Sequence, residues 1–543
     1  MRISTSQIYD SGALGIQNNQ SGLYKLQNQL STGRRVLTPQ DDPVAAAQAL
    51  VVTQTKDVNQ QFIENQGQAN SQLGLVDSQL SSLVNMLQEV RERVIQAGNS
   101  GTLGQSDRAS IATDLESRLS EILGIANSDN GVGEYLFSGY KGNVRPFAID
   151  GSLAPVPPAT TRPVTYFGDA GERLLQVSSS QQMAVSAAGS DVFMTAKKGN
   201  GTFVTGTGGN FGVGVSIGVH DPVSTVSADG GSVVNRTLWS TALNNAGAGR
   251  PITISFPDAT HYQISDPVGG TTAPILYADP TTIPLLTNGG VNFSANVIVS
   301  GVPVAGDTLL INPGSGKNKG TATVDAGSVL DAGLWSAAGN PGRFMVQFST
   351  TTSAAGVVSA TYQIYDNTTP ATPVALLAVP KAYSLGQAIK LEKTTAPVAD
   401  YGGQIVVQGQ PGNGDTLTIE PSTNQSLFQT MQNLIGILRS PIGSSTYTAT
   451  QYSNELGAEL TNLDQSFNNI NRVQAQIGTR MQEIDSLGSA SSDLDIQYQA
   501  TLSDLQDLDY AKAISDFMNQ QMNLEAAQQS FAKISGLSLF NYL

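Results

Sequence analysis

The residues best placed for acid–base chemistry are His220 and Asp221, an imidazole beside a carboxylate as in half of a nucleophilic triad. No G-x-S-x-G turn accompanies them to supply the hydroxyl. The Gly-rich run GTGGNFGVGVSIG at 206–218 invites a nucleotide reading, but it departs from G-x-G-x-x-G, and its flanks read as turn and strand. GSGKNKG at 314–320 has Asn318 where a phosphate loop needs Ser or Thr. Asp493, Asp495, Asp504, Asp507 and Asp509 form an acidic group without the spacing or the glycine of a calcium loop, so it reads as a solvated helical face. Catalytic, cofactor and metal residues are therefore all assigned as none, and the chain is expected not to be an enzyme.

Composition sets further bounds. The 543 residues include 28 basic and 43 acidic side chains, a formal charge of −15, which argues against a nucleic-acid partner. There is no cysteine and there are two histidines, so disulfides, thiolate metal sites and His-rich sites drop out together. The aliphatic run Val374 to Val379 is far too short to cross a bilayer, and no membrane partner is expected. The opening MRISTSQIYDSG has no apolar core of signal-peptide type, so no cleaved signal peptide is expected.

Proline then divides the chain. It is absent from 44–145 and from 442–543 and concentrated between them, so long helices are permitted at the ends only. Leu73, Val76, Leu80, Leu83, Leu87, Val90 and Val94 alternate in steps of three and four, a seam of period 3.5. Leu456, Leu460, Leu463, Phe467, Ile470, Ile477, Met481 and Ile484 keep that register, with Gln474 interrupting it. A third helix near Ile111, Leu115, Leu119 and Ile122 is expected to pack with them. Taken alone, these seams describe a bundle core and carry no message about function.

The extreme ends repeat the theme. Ile16, Leu23, Leu26 and Leu30 fit one helical face, closed by Gly33 as a left-handed cap with Arg34 and Arg35 at the negative end of the helix dipole. Asp42 and Pro43 then read as N-cap and first residue of the next helix. Tyr510, Ile514, Phe517, Leu524 and Phe531 form a further seam, widened by Met518, Met522 and Ile534. Two amphipathic ends must bury each other or a neighbour's equivalent.

The middle contains a duplication. Leu238-Trp239-Ser240 recurs at 334–336, Tyr262-Gln263-Ile264 at 362–364, and Gly306-Asp307-Thr308-Leu309 at 414–417. Short alternating runs between Pro and Gly turns indicate antiparallel strands. The fold class is thus α+β and multidomain: a coiled-coil-like helical bundle from both ends, with a β-rich insert of tandem sandwich-like modules at 197–316 and 317–422. The helical core takes 44–150 and 424–490, with a β-hairpin near 134–147. Residues 151–196 form a linker with β character, and 1–43 and 491–543 are terminal helices. Trp239 and Trp335, at matching repeat positions, read as module core anchors before ligand platforms.

Three separated segments carry a resemblance: LQNQLSTGRRVLTPQDDPVAAAQAL (26–50), EYLFSGYKGNVRPF (134–147) and DYAKAISDFMNQQMNLEAAQQSFAKISGLSLFNYL (509–543). They resemble the flagellin superfamily and, more narrowly, the hook-associated protein 3 family of hook–filament junction proteins. The resemblance implies terminal helices that are disordered in the monomer and pair coaxially on assembly. It also implies export through the flagellar type III channel and an extracellular place in the flagellum. The implied partners are hook-associated protein 1, flagellin, an export chaperone at the C-terminal region, and further copies of the chain in a ring. Filament flagellin is the near alternative, and a secreted adhesin using the β modules is the alternative of another class.

Overall fold

A computed structural model describes residues 5–99, 103–149, 158–159, 162–210, 215–217, 223–228, 232–233, 238, 252–266, 270–286, 292–311, 318–352, 358–370, 373–442 and 447–536. Six helices are labelled here: α1 (Thr5–Thr32), α2 (Pro43–Gly98), α3 (Gln105–Ala126), α4 (Leu427–Arg439), α5 (Ala449–Gln506) and α6 (Tyr510–Gly536). The chain divides into two compact units, one of 1–75, 173–185 and 477–543, the other of 76–172 and 186–476.

In the first unit α1 packs against α6, and the early turns of α2 lie beside the late turns of α5. Asn59 Nδ2 donates to Ser491 O at 2.7 Å, and Asn70 Nδ2 donates to Asp485 at 3.3 Å, so the two long helices run antiparallel. A hairpin of Leu174–Gln176 and Gln182–Ala184 is tied on by Gln66 Nε2, which donates to Val177 O at 2.7 Å. The helix boundary expected at 490/491 is not an element boundary: α5 continues to Gln506, and the break falls at 507–509, where Asp509 accepts from Lys512 N to cap α6.

In the second unit the seam from Val76 to Val94 is fully buried, together with Leu456, Leu463 and Ile470. Removing such side chains from water stabilises by roughly 1.5–3 kcal/mol each, which is what holds helices of indifferent intrinsic propensity together. Gln474, the interruption, donates to Asp77 Oδ1 at 3.0 Å and to Ser81 Oγ at 2.8 Å, so the break in the seam is a satisfied polar layer. At the far end Tyr452 Oη donates to Ala97 O at 2.8 Å. The expected third helix exists as α3. Beyond ion pairs to α2, such as Arg118 to Glu89 at 2.7 Å, it packs along α4, an almost wholly buried helix.

The YLFSGY segment differs from expectation. It forms a turn, not a hairpin arm: Tyr135 N donates to Gly142 O, and Gly139 sits at φ +72°, where an added Cβ would meet Asp169 O at 2.4 Å. The strand comes later, Phe147–Ile149, and pairs with Val164–Tyr166. Phe137 and Phe147 join Phe193 and Phe428 in one aromatic cluster with ring centres 5.1–5.6 Å apart.

The insert begins and ends in a pair of short strands, Ala196–Lys197 against Asn424–Gln425. Within it the duplication is real in three dimensions. Ile254 faces Ile264 on one side and Leu309 on the other; Val346 faces Ile364 and Leu417 in the same way. Each module has its own apolar core. The modules are nested, however, and not tandem. Phe203–Asn210 pairs with Asp415–Pro421, and Phe203 belongs to the core of the second module. The first module, from Val215 to Ile311, is therefore inserted after the opening strand of the second. Trp335 packs on Phe203 at 4.8 Å and on Phe344 at 6.0 Å, an anchor of that core; Trp239 and His220 lie outside the described residues.

Candidate assembly surface

The residues expected from sequence to form the assembly interface lie on the terminal helices, and the structure brings those helices together. Tyr9 meets Phe531 edge to face at 5.8 Å, Gln520 Nε2 donates to Asn19 O at 3.3 Å, and Gly33 lies against the Tyr510 hydroxyl. These contacts run antiparallel. Gly12 allows the close approach, since an added Cβ there would stand 2.8 Å from the Phe531 ring. Ile16, Leu23, Leu26 and Leu30 continue the three-and-four spacing of Gly12 and Asn19 and are half-buried. On α6, Ala513, Phe517, Gln520, Leu524 and Phe531 form the facing row, with Ala513 and Leu524 buried.

Ile514 departs from that row. It is 48% exposed and lies with Tyr510, Met518 and Met522, also exposed, in a separate apolar stripe. The single C-terminal seam of the sequence is thus two faces, one covering α1 and one open. Exposed apolar side chains continue in the first unit on α2, at Val44, Val51 and Val58, seven residues apart. A groove of about 440 Å³, lined by Ala47, Gln48, Val51, Val52, Thr501 and Leu505, lies between α2 and α5. The core positions Leu73, Leu80, Leu87, Val94, Leu463, Ile470, Ile477 and Ile484 are all buried and belong to the scaffold.

A joint that the sequence did not reveal connects the helix pairs. Gly33, at φ +70°, caps α1 through its N–H to Gln29 O, as expected, and its carbonyl accepts from Leu508 N at 2.9 Å. Arg35 N donates to Gln506 O at 2.7 Å, and Arg35 Nη2 donates to Leu505 O at 2.8 Å. Arg35 therefore caps α5, not its own helix, placing a cation on the last carbonyls of a partner 470 residues away. Asp42 caps α2 by accepting from Ala45 N at 3.0 Å and also accepts from Arg35 at 3.0 Å; these bonds lower its pKa, the Ala45 N–H most. Asp41 accepts from Lys25 Nζ at 2.7 Å and from the Leu37 and Thr38 amides, which hold its carboxyl at about 2, the Lys25 bond contributing most. These bonds fix two helix breaks against each other.

Residues 3–142 match the family described as the bacterial flagellin N-terminal helical region. Flagellar hook-associated protein 3 of Salmonella typhimurium is 37% identical over 195 residues, 36% of this chain and 57% of that protein. This chain resembles flagellar hook-associated protein 3. Its counterpart in Escherichia coli strain K12 is 35% identical over 193 residues, again 36% of this chain and 57% of that protein. The matched sequence thus spans 57% of the length of each of these curated relatives. The crystal structure of flagellar hook-associated protein 3 from Legionella pneumophila covers 84% of this chain and 98% of its own, with a TM-score of 0.53 and 22% identity, a likeness of fold. The resemblance to hook-associated protein 3 first seen in three motifs is therefore borne out, as is the α+β fold class with helical ends around antiparallel sheets.

Proposed function

We propose that this chain is a structural, non-enzymatic component of the bacterial flagellum, an adaptor at the junction of hook and filament. The observation that carries this reading is the antiparallel pair of α1 and α6, with its open stripe of Tyr510, Ile514, Met518 and Met522. Identity to relatives named for the hook supports the location. In this reading the terminal pair packs coaxially with neighbouring copies in a ring, with hook-associated protein 1 below and flagellin above. The end helices are disordered before assembly, since fixing each residue costs about 1–2 kcal/mol of backbone entropy and a lone pair of helices buries little to offset it. The chain reaches the cell exterior through the flagellar export channel, with a chaperone covering the apolar face of α6 on the way.

The test is a double variant, Phe517→Asp with Leu524→Asp, in a strain whose own copy is deleted. Expected are normal cooperative unfolding of the helical and β cores, loss of motility, and flagellin shed into the medium instead of joined to hooks. Full motility with attached filaments would end the adaptor reading. The same strain reports on the chaperone: secretion of the variant at the wild-type level would mean that the facing row of α6 is not the escorted surface.

A further inference from the structure

Eight of the nine methionines lie among the described residues, and they divide by exposure. Met183, Met345 and Met431 are buried, and Met86, Met194 and Met481 are half-buried. Met518 and Met522, both on α6, are 63% and 62% exposed. Four residues apart, they share one helical face, the open stripe that begins with Tyr510 and Ile514. Ala513, Phe517 and Leu524 belong to the other row, the one that covers α1. Unfolding of the terminal helices would leave both sulfurs open as well, so their contrast with the six covered methionines does not depend on α6 being formed.

We infer that Met518 and Met522 are an oxidation site through which a peroxide switches the open stripe of α6 from apolar to polar. Each thioether sulfur attacks one oxygen of hydrogen peroxide with a lone pair. The S–O bond forms and the O–O bond breaks, and the proton on the transferred oxygen passes to the departing hydroxide, which leaves as water. Sulfur loses two electrons, peroxide gains two, and the product is methionine sulfoxide. A sulfoxide is polar and chiral where the thioether was soft and apolar. Two of the four side chains of the stripe change in this way, while the row that covers α1 contains no methionine. The change is reversible, because two methionine sulfoxide reductases, one for each epimer, restore the thioether. Its consequence for assembly rests on the adaptor reading: a chain oxidised before docking attaches poorly to hooks, and a docked chain, its stripe covered, is shielded.

The experiment treats the purified full chain with limiting hydrogen peroxide and maps every methionine by peptide mass spectrometry. Met518 and Met522 should each gain one oxygen several-fold faster than Met183, Met345 and Met431. Retention on a hydrophobic-interaction column should fall for the treated wild type and recover after incubation with both reductases. Met518→Leu with Met522→Leu, apolar but without sulfur at those positions, should elute at its own position before and after treatment. Oxidation at 518 and 522 no faster than at the buried positions would overturn the site. Unchanged retention of a chain oxidised at both, or an equal fall in the Leu variant, would overturn the switch. The same preparations are then added to hooks from a strain whose own copy is deleted. Peroxide should weaken attachment of the wild type several-fold and leave that of the Leu variant at its own starting level. Equal attachment of oxidised and untreated wild type would overturn control of assembly by the pair. Failure of the untreated wild type to attach would count against the adaptor reading alone, with the oxidation site still decided by the map and the column.

Discussion

Adjacent carboxylates at 41 and 42 serve different masters. Asp42 was readable as an N-cap because its partner, Ala45 N, is three residues away. Asp41 binds Lys25 on α1 and the amides of Leu37 and Thr38, so it ties the 37–41 loop to α1. Its pKa of about 2 lies below the unfolded carboxylate value, so its contribution is present in full above roughly pH 4 and lost as pH falls through 2. Asp41→Asn should speed hydrogen exchange of 37–42 several-fold at neutral pH, whereas the wild type and the variant should converge near pH 2. A variant as protected as the wild type at pH 7 would show that Arg35 and Gly33 hold the joint alone. The role of Arg35 on α5 was not legible, because nothing local distinguishes a cation that caps its own helix from one that caps a distant helix.

At the scale of elements, periodicity read well where one face is buried throughout. The seam along α2 is buried from Leu73 to Val94 because α5 offers a matching seam in the same register. Leu80→Ala should therefore cost about 2–5 kcal/mol in denaturant unfolding of the full chain, as a cavity in a packed core does. Ile95→Ala, on the exposed side of the same helix, should cost under about 0.5 kcal/mol. Equal losses would mean that the exposed side is covered in solution. Periodicity read less well on α6. Apolar residues occupy more than half its circumference, so the sequence merged the row facing α1 with the open stripe of Ile514 and Met518. Helix α4 fell inside the expected helical core of 424–490 but was not singled out as an element. Its thirteen residues set Gln429, Thr430, Gln432 and Asn433 among apolar side chains, and the fold buries nearly all of them, polar ones included.

At the scale of the whole molecule, nesting of the β modules carries its own consequence. Asn210 ends the opening strand opposite Asp415, and Asn318 exchanges hydrogen bonds with the neighbouring Thr416 at 2.9 and 3.2 Å. The two ends of the excursion to the first module therefore sit on adjacent residues of one strand. Replacing the intervening segment with a short Gly-Ser link should leave the second module folded, with its melting temperature moved by only a few degrees, because a short flexible loop adds little closure entropy. Thermal unfolding followed by circular dichroism checks this. Loss of the second module's transition would mean that the two cores depend on each other. If the adaptor reading holds, the shortened chain also supports motility.

The sequence by itself determined what local physics controls: where proline forbids a helix, where Gly33 and Asp42 end and begin one, the buried seams, and a repeat whose halves adopt matching strand registers. Only the tertiary structure decided which strand belongs to which module, which face of α6 is covered, and what Arg35 binds. Those outcomes depend on pairings between residues hundreds of positions apart. A strand such as Phe203–Asn210 looks the same in sequence whether it opens the next module or waits for one two hundred residues later. Backbone hydrogen bonds and apolar burial decide that choice, and both are properties of the folded contacts.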